Sequence, residues 1–198
     1  MKSGTSYYSE DELKEIGLKE CGKNVFLSKK ASLYGIQDIV IGDNVRVDDY
    51  CIISGNVTIG SFVHIGAYTA LYGGTYGIEL DNFATLSSRV AVYSETDDYY
   101  GESLTNPLIQ GEFRKTSGGK VVLEKHVLIG SGCTVLPDVT IGVGSAVGAM
   151  SLVKESLSEW GVYAGIPARK INNRKKEILK LEKKYLSHLE SDKNVGCH

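Results

Sequence analysis

Aliphatic residues recur every six positions along most of this chain. From Ile41 the blocks read IGDNVR, VDDYCI, ISGNVT, IGSFVH and IGAYTA; the beat lapses after Tyr93 and returns at Leu123 as LEKHVL, IGSGCT, VLPDVT, IGVGSA, VGAMSL and VKESLS. A helix repeats about every 3.6 residues and a plain strand every two, so a period of six belongs to neither. A solenoid accounts for it. Each block supplies a short strand and a turn, and three blocks close a triangular coil. Positions one and five of a block then face inward, as in Ile41 and Val45, Ile59 and Val63, Ile129 and Cys133. The fourth position is often Asn, Gly or Asp (Asn44, Asn56, Gly132, Asp138, Gly144), residues that tolerate left-handed backbone at a corner.

The same pattern divides the chain. A helical cap over residues 1–20 precedes an all-β solenoid over 21–171, followed by a helix and tail over 172–198. Residues 7–17 predict a short helix with a capping box from Ser9 and Glu12 and a left-handed stop at Gly17. Such a helix can plug the open first coil. Residues 21–32 read as degenerate opening blocks; the strong blocks run over 41–72 and 123–158. Two interruptions stand out: a small insertion, GGTYG, at 73–77, and a long excursion at 97–120 rich in Gly, Pro and polar residues. Excursions of this length inside a domain are commonly functional. Ile178, Leu181, Tyr185 and Leu189 recur at helical spacing and predict an amphipathic helix over 173–190.

Composition narrows the picture. The 198 residues carry a formal net charge of −2 and 23% charged side chains, which gives no field for nucleic acid or a membrane surface. No run approaches the roughly 18 apolar residues of a membrane span, and the polar, acidic start lacks an apolar leader segment. A cytoplasmic protein is the expectation. The four cysteines, Cys21, Cys51, Cys133 and Cys197, lack metal-ligand spacing, and no metal is expected. Cys51 and Cys133 fall in one inward column three coils apart, on the order of 14 Å at the usual strand spacing. That exceeds the roughly 7 Å a disulfide allows, so both are expected as core thiols.

The blocks IGDNV, VTIGSFV, VLIGSG and VLPDVTIGVGSAVGAMSLV, with the closing WGVYAGIPARKI, resemble the hexapeptide-repeat acyltransferases over roughly residues 20–172. The branch that resembles it most is the sugar O-acetyltransferases of the galactoside and maltose type and of polysaccharide or O-antigen biosynthesis. The resemblance implies a left-handed parallel β-helix, a homotrimer with active sites between subunits, a small sugar acceptor and acetyl-CoA as donor. It also implies that backbone amides at Ser131 and Ala149 hold the pantetheine and thioester, with Gly148 permitting close approach. Arg169 matches the basic residue that meets the CoA phosphates, although a plain surface charge explains it too. Where the family has a Thr-Lys pair this chain has Lys154 and Glu155, which shifts or removes that contact.

One departure bears on the chemistry. The galactoside-type enzymes open the long loop with a catalytic histidine, and the matching position here is Asp97. An exposed aspartate, with a reference pKa of about 3.9, is a weak base at neutral pH. A sugar hydroxyl needs a general base, and imidazole suits the task. His188 and His198 lie in the terminal helix and tail, and His126 occupies a corner position. His64, which points outward in a block IGSFVH, is the base candidate. Asp97 or Asp98 is its expected orienting partner or an acceptor contact. Twelve tyrosines are many for this length. Tyr72 and Tyr99 are candidates for stacking on a sugar, a role that trimer packing explains equally well.

The leading expectation is acetyl-CoA-dependent O-acetylation of a sugar or glycan precursor. N-acetylation of a nucleotide-linked amino sugar is the alternative, because an amine attacks with little help from a protein base. A non-catalytic β-helical scaffold and a metal-dependent carbonic anhydrase also use this fold. The latter needs three convergent histidines, and only His64 and His126 lie within the coils.

Overall fold

Each six-residue block forms one side of a triangular coil, and about seven coils stack into a left-handed parallel β-helix. The computed structural model describes residues 6–195. Three faces run the length of the prism. Face A stacks Ser32–Tyr34, Ala91–Tyr93, Thr134–Val135 and Leu152–Val153, and face B stacks Glu20–Cys21, Ile39–Ile41, Val121–Leu123 and Thr140–Ile141. Two longer strands, Ile52–Ile59 and Ala70–Leu80, bend round the corner and belong to both. Face C stacks Phe26–Leu27, Arg46–Val47, His64–Ile65, Thr85–Leu86, Leu128–Ile129, Ala146–Val147 and Gly161–Ala164.

The inward columns are the core. Ile41, Val45, Ile59, Val63, Ile129 and Cys133 are all at most 2% exposed, so positions one and five do face inward. Cys51 and Cys133 are buried free thiols, each donating to a backbone carbonyl (Gly66 and Gly148), and burial pushes the Cys51 thiol up to about 11. Asn44, Gly132, Asp138 and Gly144 take positive φ at corners. Asn56 does not: it lies inside the strand Ile52–Ile59.

Helix α1 (Glu10–Ile16) begins at Ser9 with both halves of its capping box formed and ends at Gly17 in left-handed backbone. Its Leu13 is buried in the core, which closes the first coil. The insertion at 73–77 is not a separate loop. It is absorbed as a bulge within Ala70–Leu80, where the register against Ile52–Ile59 shifts. The long excursion leaves at the same A/B corner one coil later. Its base is an antiparallel pair, Glu95–Asp97 with Thr116–Gly118.

The C-terminal region departs from expectation. Residues Arg169–Asn173 form a strand antiparallel to Gly161–Ala164, and helix α2 spans Ile178–Val195, so the helix starts later than 173. Arg174 explains the delay: its Nη1 donates to the carbonyls of His126 (2.8 Å), Gly144 (3.0 Å) and Ser145 (3.3 Å), which pins the connector to the corner between faces B and C. From there α2 runs back along the same corner. Ile178, Leu179, Glu182, Leu186 and Leu189 are half-buried, while Leu181 and Tyr185 are exposed. Glu182 receives Lys125 Nζ at 2.6 Å and His126 Nε2 at 2.8 Å. Burial would raise the Glu182 carboxyl, but the bonds from Lys125 and His126 outweigh it and hold it below its ordinary value. A depressed folded-state pKa stabilises above the unfolded value and loses that stability as pH falls through the folded one. Acid should therefore loosen α2 below about pH 4.5, and Glu182→Gln should flatten that part of a stability-versus-pH curve. An unchanged curve would show that α2 is not held by this pair.

Candidate active site

Two corners of the prism carry the candidate chemistry. At the A/B corner the excursion and the solenoid enclose a cavity of about 570 Å³, lined by Thr96, Asp97, Asp98, Tyr99, Lys115 and Pro137 among others. Asp97 sits in the hairpin base, where the ladder to Thr116 fixes its backbone. Arg114 places both Nε (2.9 Å) and Nη2 (2.8 Å) on Asp97 Oδ1. Asp98 caps the loop, accepting from the backbone N–H groups of Tyr100 and Ser103 at 2.7 Å each. The Tyr100 N–H and its neighbours hold the Asp98 carboxyl below its usual range. Tyr99 is 89% exposed at the cavity mouth. Tyr72 stacks on Tyr93 at 5.1 Å on face A.

Glycine builds the seat beneath this cavity. Gly74 has positive φ, and any Cβ there would overlap the Glu95 side chain; a Cβ on Gly118 would overlap the Ser94 carbonyl and press on the Tyr76 ring. The bulge at 73–77 and the base of the excursion thus form one unit, a link that lies outside the six-residue pattern.

At the opposite edge of face A, the corner with face C carries the expected donor residues. Ser131, Gly148 and Ala149 lie there on successive coils, with Ser88 Oγ 3.4 Å from Ser131 Oγ. The Gly148 carbonyl is occupied by Cys133 Sγ and Ser151 Oγ. Lys154 and Arg169 line a smaller cavity of about 180 Å³ near the end of the prism, where both meet Glu155, at 3.3 and 3.8 Å.

His64 lies on face C beside that corner, and its carboxylate partner is neither Asp97 nor Asp98. Its Nε2 is 2.8 Å from Asp48 Oδ2, and Asp48 also accepts from Arg46 Nε at 2.7 Å. Burial would raise the Asp48 carboxyl, and the bonds from His64 and Arg46 more than offset it. Within one chain the His64–Asp48 pair and the Asp97 cavity stand on different sides of the prism. His126 is structural. It is 8% exposed, stacked on Phe83 and bonded to Glu182. His188 lies on α2, and His198 lies outside the described residues.

Known proteins resemble this chain along most of its length. The family model for bacterial transferase hexapeptide (six repeats) matches residues 38–73. A dTDP-4-amino-4,6-dideoxy-D-glucose acyltransferase of Escherichia coli is 42% identical over 89% of this chain and 93% of that protein. The lipopolysaccharide biosynthesis O-acetyl transferase WbbJ, a putative assignment in Escherichia coli K12, is 28% identical over 74% of each. Among solved structures, AntD, an N-acyltransferase from Bacillus cereus in complex with dTDP and 3-hydroxybutyryl-CoA, superposes with a TM-score of 0.91 at 53% identity, covering 94% of this chain and 100% of that one. The chain belongs to the hexapeptide-repeat acyltransferase family, in the company of sugar acyltransferases.

Proposed function

We propose that this chain is an N-acyltransferase that moves an acyl group from an acyl-CoA donor, acetyl-CoA included, to the 4-amino group of a dTDP-linked 4,6-dideoxyglucose. The near full-length match to an enzyme of that specificity carries the reading. The site supplies the chemical reason. The leading expectation of O-acetylation gives way to its alternative, because the O-acetyl transferase relative is more distant and, among the described residues, the A/B cavity has carboxylates but no histidine from its own chain. An amine needs less help than a hydroxyl.

At neutral pH the acceptor enters as an ammonium, which carboxylates attract and which must shed one proton before it attacks. Asp97 is the proposed ammonium contact, with Asp98 and Tyr99 framing the cavity and Tyr72 beside it. His64, oriented by Asp48, is the proposed acceptor of the proton. The freed nitrogen then attacks the thioester carbonyl. A C–N bond forms, the C–S bond breaks, and the products are the amide, the CoA thiol and one released proton. Backbone amides at Ser131 and Ala149 are proposed to steady the thioester oxygen and pantetheine, and Lys154 and Arg169 the phosphates. We place the reaction in the cytoplasm and in a homotrimer, where the Asp97 loop of one chain would meet the His64 corner of the next. AntD was also solved with substitutions at a serine and an aspartate ten positions apart, the spacing of Ser87 and Asp97 here.

Release of the CoA thiol tests the reading. Acetyl-CoA or 3-hydroxybutyryl-CoA with dTDP-4-amino-4,6-dideoxyglucose should give rapid release, while a simple galactoside should give none above background. The reverse preference would restore the O-acetyltransferase reading.

A further inference from the structure

We infer that Tyr185 of helix α2 is a positioning residue for His64, closing one side of the groove in which the imidazole works. The inference rests on the amino-sugar reading with His64 as proton acceptor, and adds the C-terminal helix to the site.

The open nitrogen of His64 is the first observation. Asp48 is held ionised by its bonds to Arg46 and His64, so it can only accept. Nε2 of His64 must then carry a proton, and the neutral ring keeps its lone pair on Nδ1. Nδ1 has no partner among the described residues. The nitrogen that can take a proton from the acceptor is therefore Nδ1. A single bond at Nε2 does not fix the plane of the ring, and the side chain is 44% exposed.

The missing wall comes from far along the chain. Beside His64 runs a groove of about 340 Å³, lined by Asn44, Arg46, Phe62 and Tyr185 among others. Phe62 lies two residues before His64, whereas Tyr185 belongs to α2. The Tyr185 ring stands edge-on to Phe62, with 6.0 Å between centroids and 78° between planes. Its hydroxyl has no partner among the described residues. Tyr185 does not serve to pack α2, a task that falls to the half-buried Ile178, Leu179, Leu186 and Leu189.

The helix is anchored so that this ring keeps its place. Glu182 stands three residues before Tyr185, so one turn of α2 carries both. Glu182 holds His126, which stacks on Phe83 at 5.1 Å, and Phe83 stacks on Phe62 at 4.7 Å. That turn of helix and the aromatic column of the B/C corner thus meet at two points, His126 and Phe62. The second point is where the groove of His64 begins. A rigid ring there keeps water off one side of the imidazole and narrows the arc it can sweep. Nδ1 stays aimed at the ammonium.

Two readouts on the full-length protein test this. One is CoA thiol release with dTDP-4-amino-4,6-dideoxyglucose; the other is the rate at which diethyl pyrocarbonate modifies His64, followed by mass spectrometry. Tyr185→Ala should lower kcat by about tenfold and leave both KM values within about twofold. It should also speed modification of His64. Tyr185→Phe, which keeps the ring, should match the wild type in both. In a His64→Ala background Tyr185→Ala should cost nothing further, because the two residues act as one unit. If Tyr185→Ala leaves either readout at the wild-type value, or Tyr185→Phe fails to restore both, the inference is wrong and the proposed function survives. Dissociation of Tyr185→Ala into smaller species on sedimentation would make Tyr185 a contact between copies, and would also overturn it. A wild type that does not turn over the amino sugar would overturn the function and the inference together.

Discussion

Asp97→Asn is expected to lower kcat/KM for the amino sugar by about tenfold to a hundredfold, the usual worth of a hydrogen bond to a charged group. The substitution keeps the shape of the side chain and the ladder to Thr116, but removes the charge that faces the cavity. Arg114 uses only Oδ1 of the carboxylate, which leaves Oδ2 for the ammonium of the acceptor. CoA affinity should not move, because the substitution alters none of the proposed donor contacts at Ser131, Ala149, Lys154 and Arg169. The effect should fall mainly on KM for the amino sugar, and dTDP, which has no amine, should bind as before. An unchanged KM would remove Asp97 from the acceptor site.

Gly118→Val should give the second large effect, a loss of acceptor turnover of at least about tenfold with the solenoid intact. Its side chain would collide with the Ser94 carbonyl and the Tyr76 ring, so the hairpin base must shift away from the bulge. Overpacking of this kind typically costs about 1–3 kcal/mol. Here the strain falls on a loop base outside the stacked core, so it should displace Asp97 and Arg114 before it unfolds the coils. Melting temperature should change by only a few degrees. A variant that keeps full activity would show that the seat at 73–77 does not position the cavity.

The solenoid was legible because its signal is repeated. Every coil must bury the same two positions, and Ile41, Val63 and Ile129 obey the same rule far apart in the chain. The capping box of α1 was legible for a related reason: Ser9 and Glu12 are three residues apart, and local spacing settles their contact. Contacts between coils were not. Asp48 and His64 are sixteen positions apart, and only stacking brings them together. The same holds for the bulge at Gly74 and the hairpin at Glu95. The C-terminal helix was misjudged at its start because hydrophobic spacing is blind to Arg174, whose bonds to three carbonyls hold the connector outside the helix. The acceptor was legible only in outline. Asp97 in place of a histidine weakened the hydroxyl reading, and the choice of amine came from the relatives.

The central claim is that nitrogen is acylated. Incubation with dTDP-4-amino-4,6-dideoxyglucose and acetyl-CoA, followed by two-dimensional NMR of the product, tests it most directly. The account predicts an amide at carbon 4 with both ring hydroxyls free. An ester on a sugar hydroxyl, with the amine untouched, would contradict it.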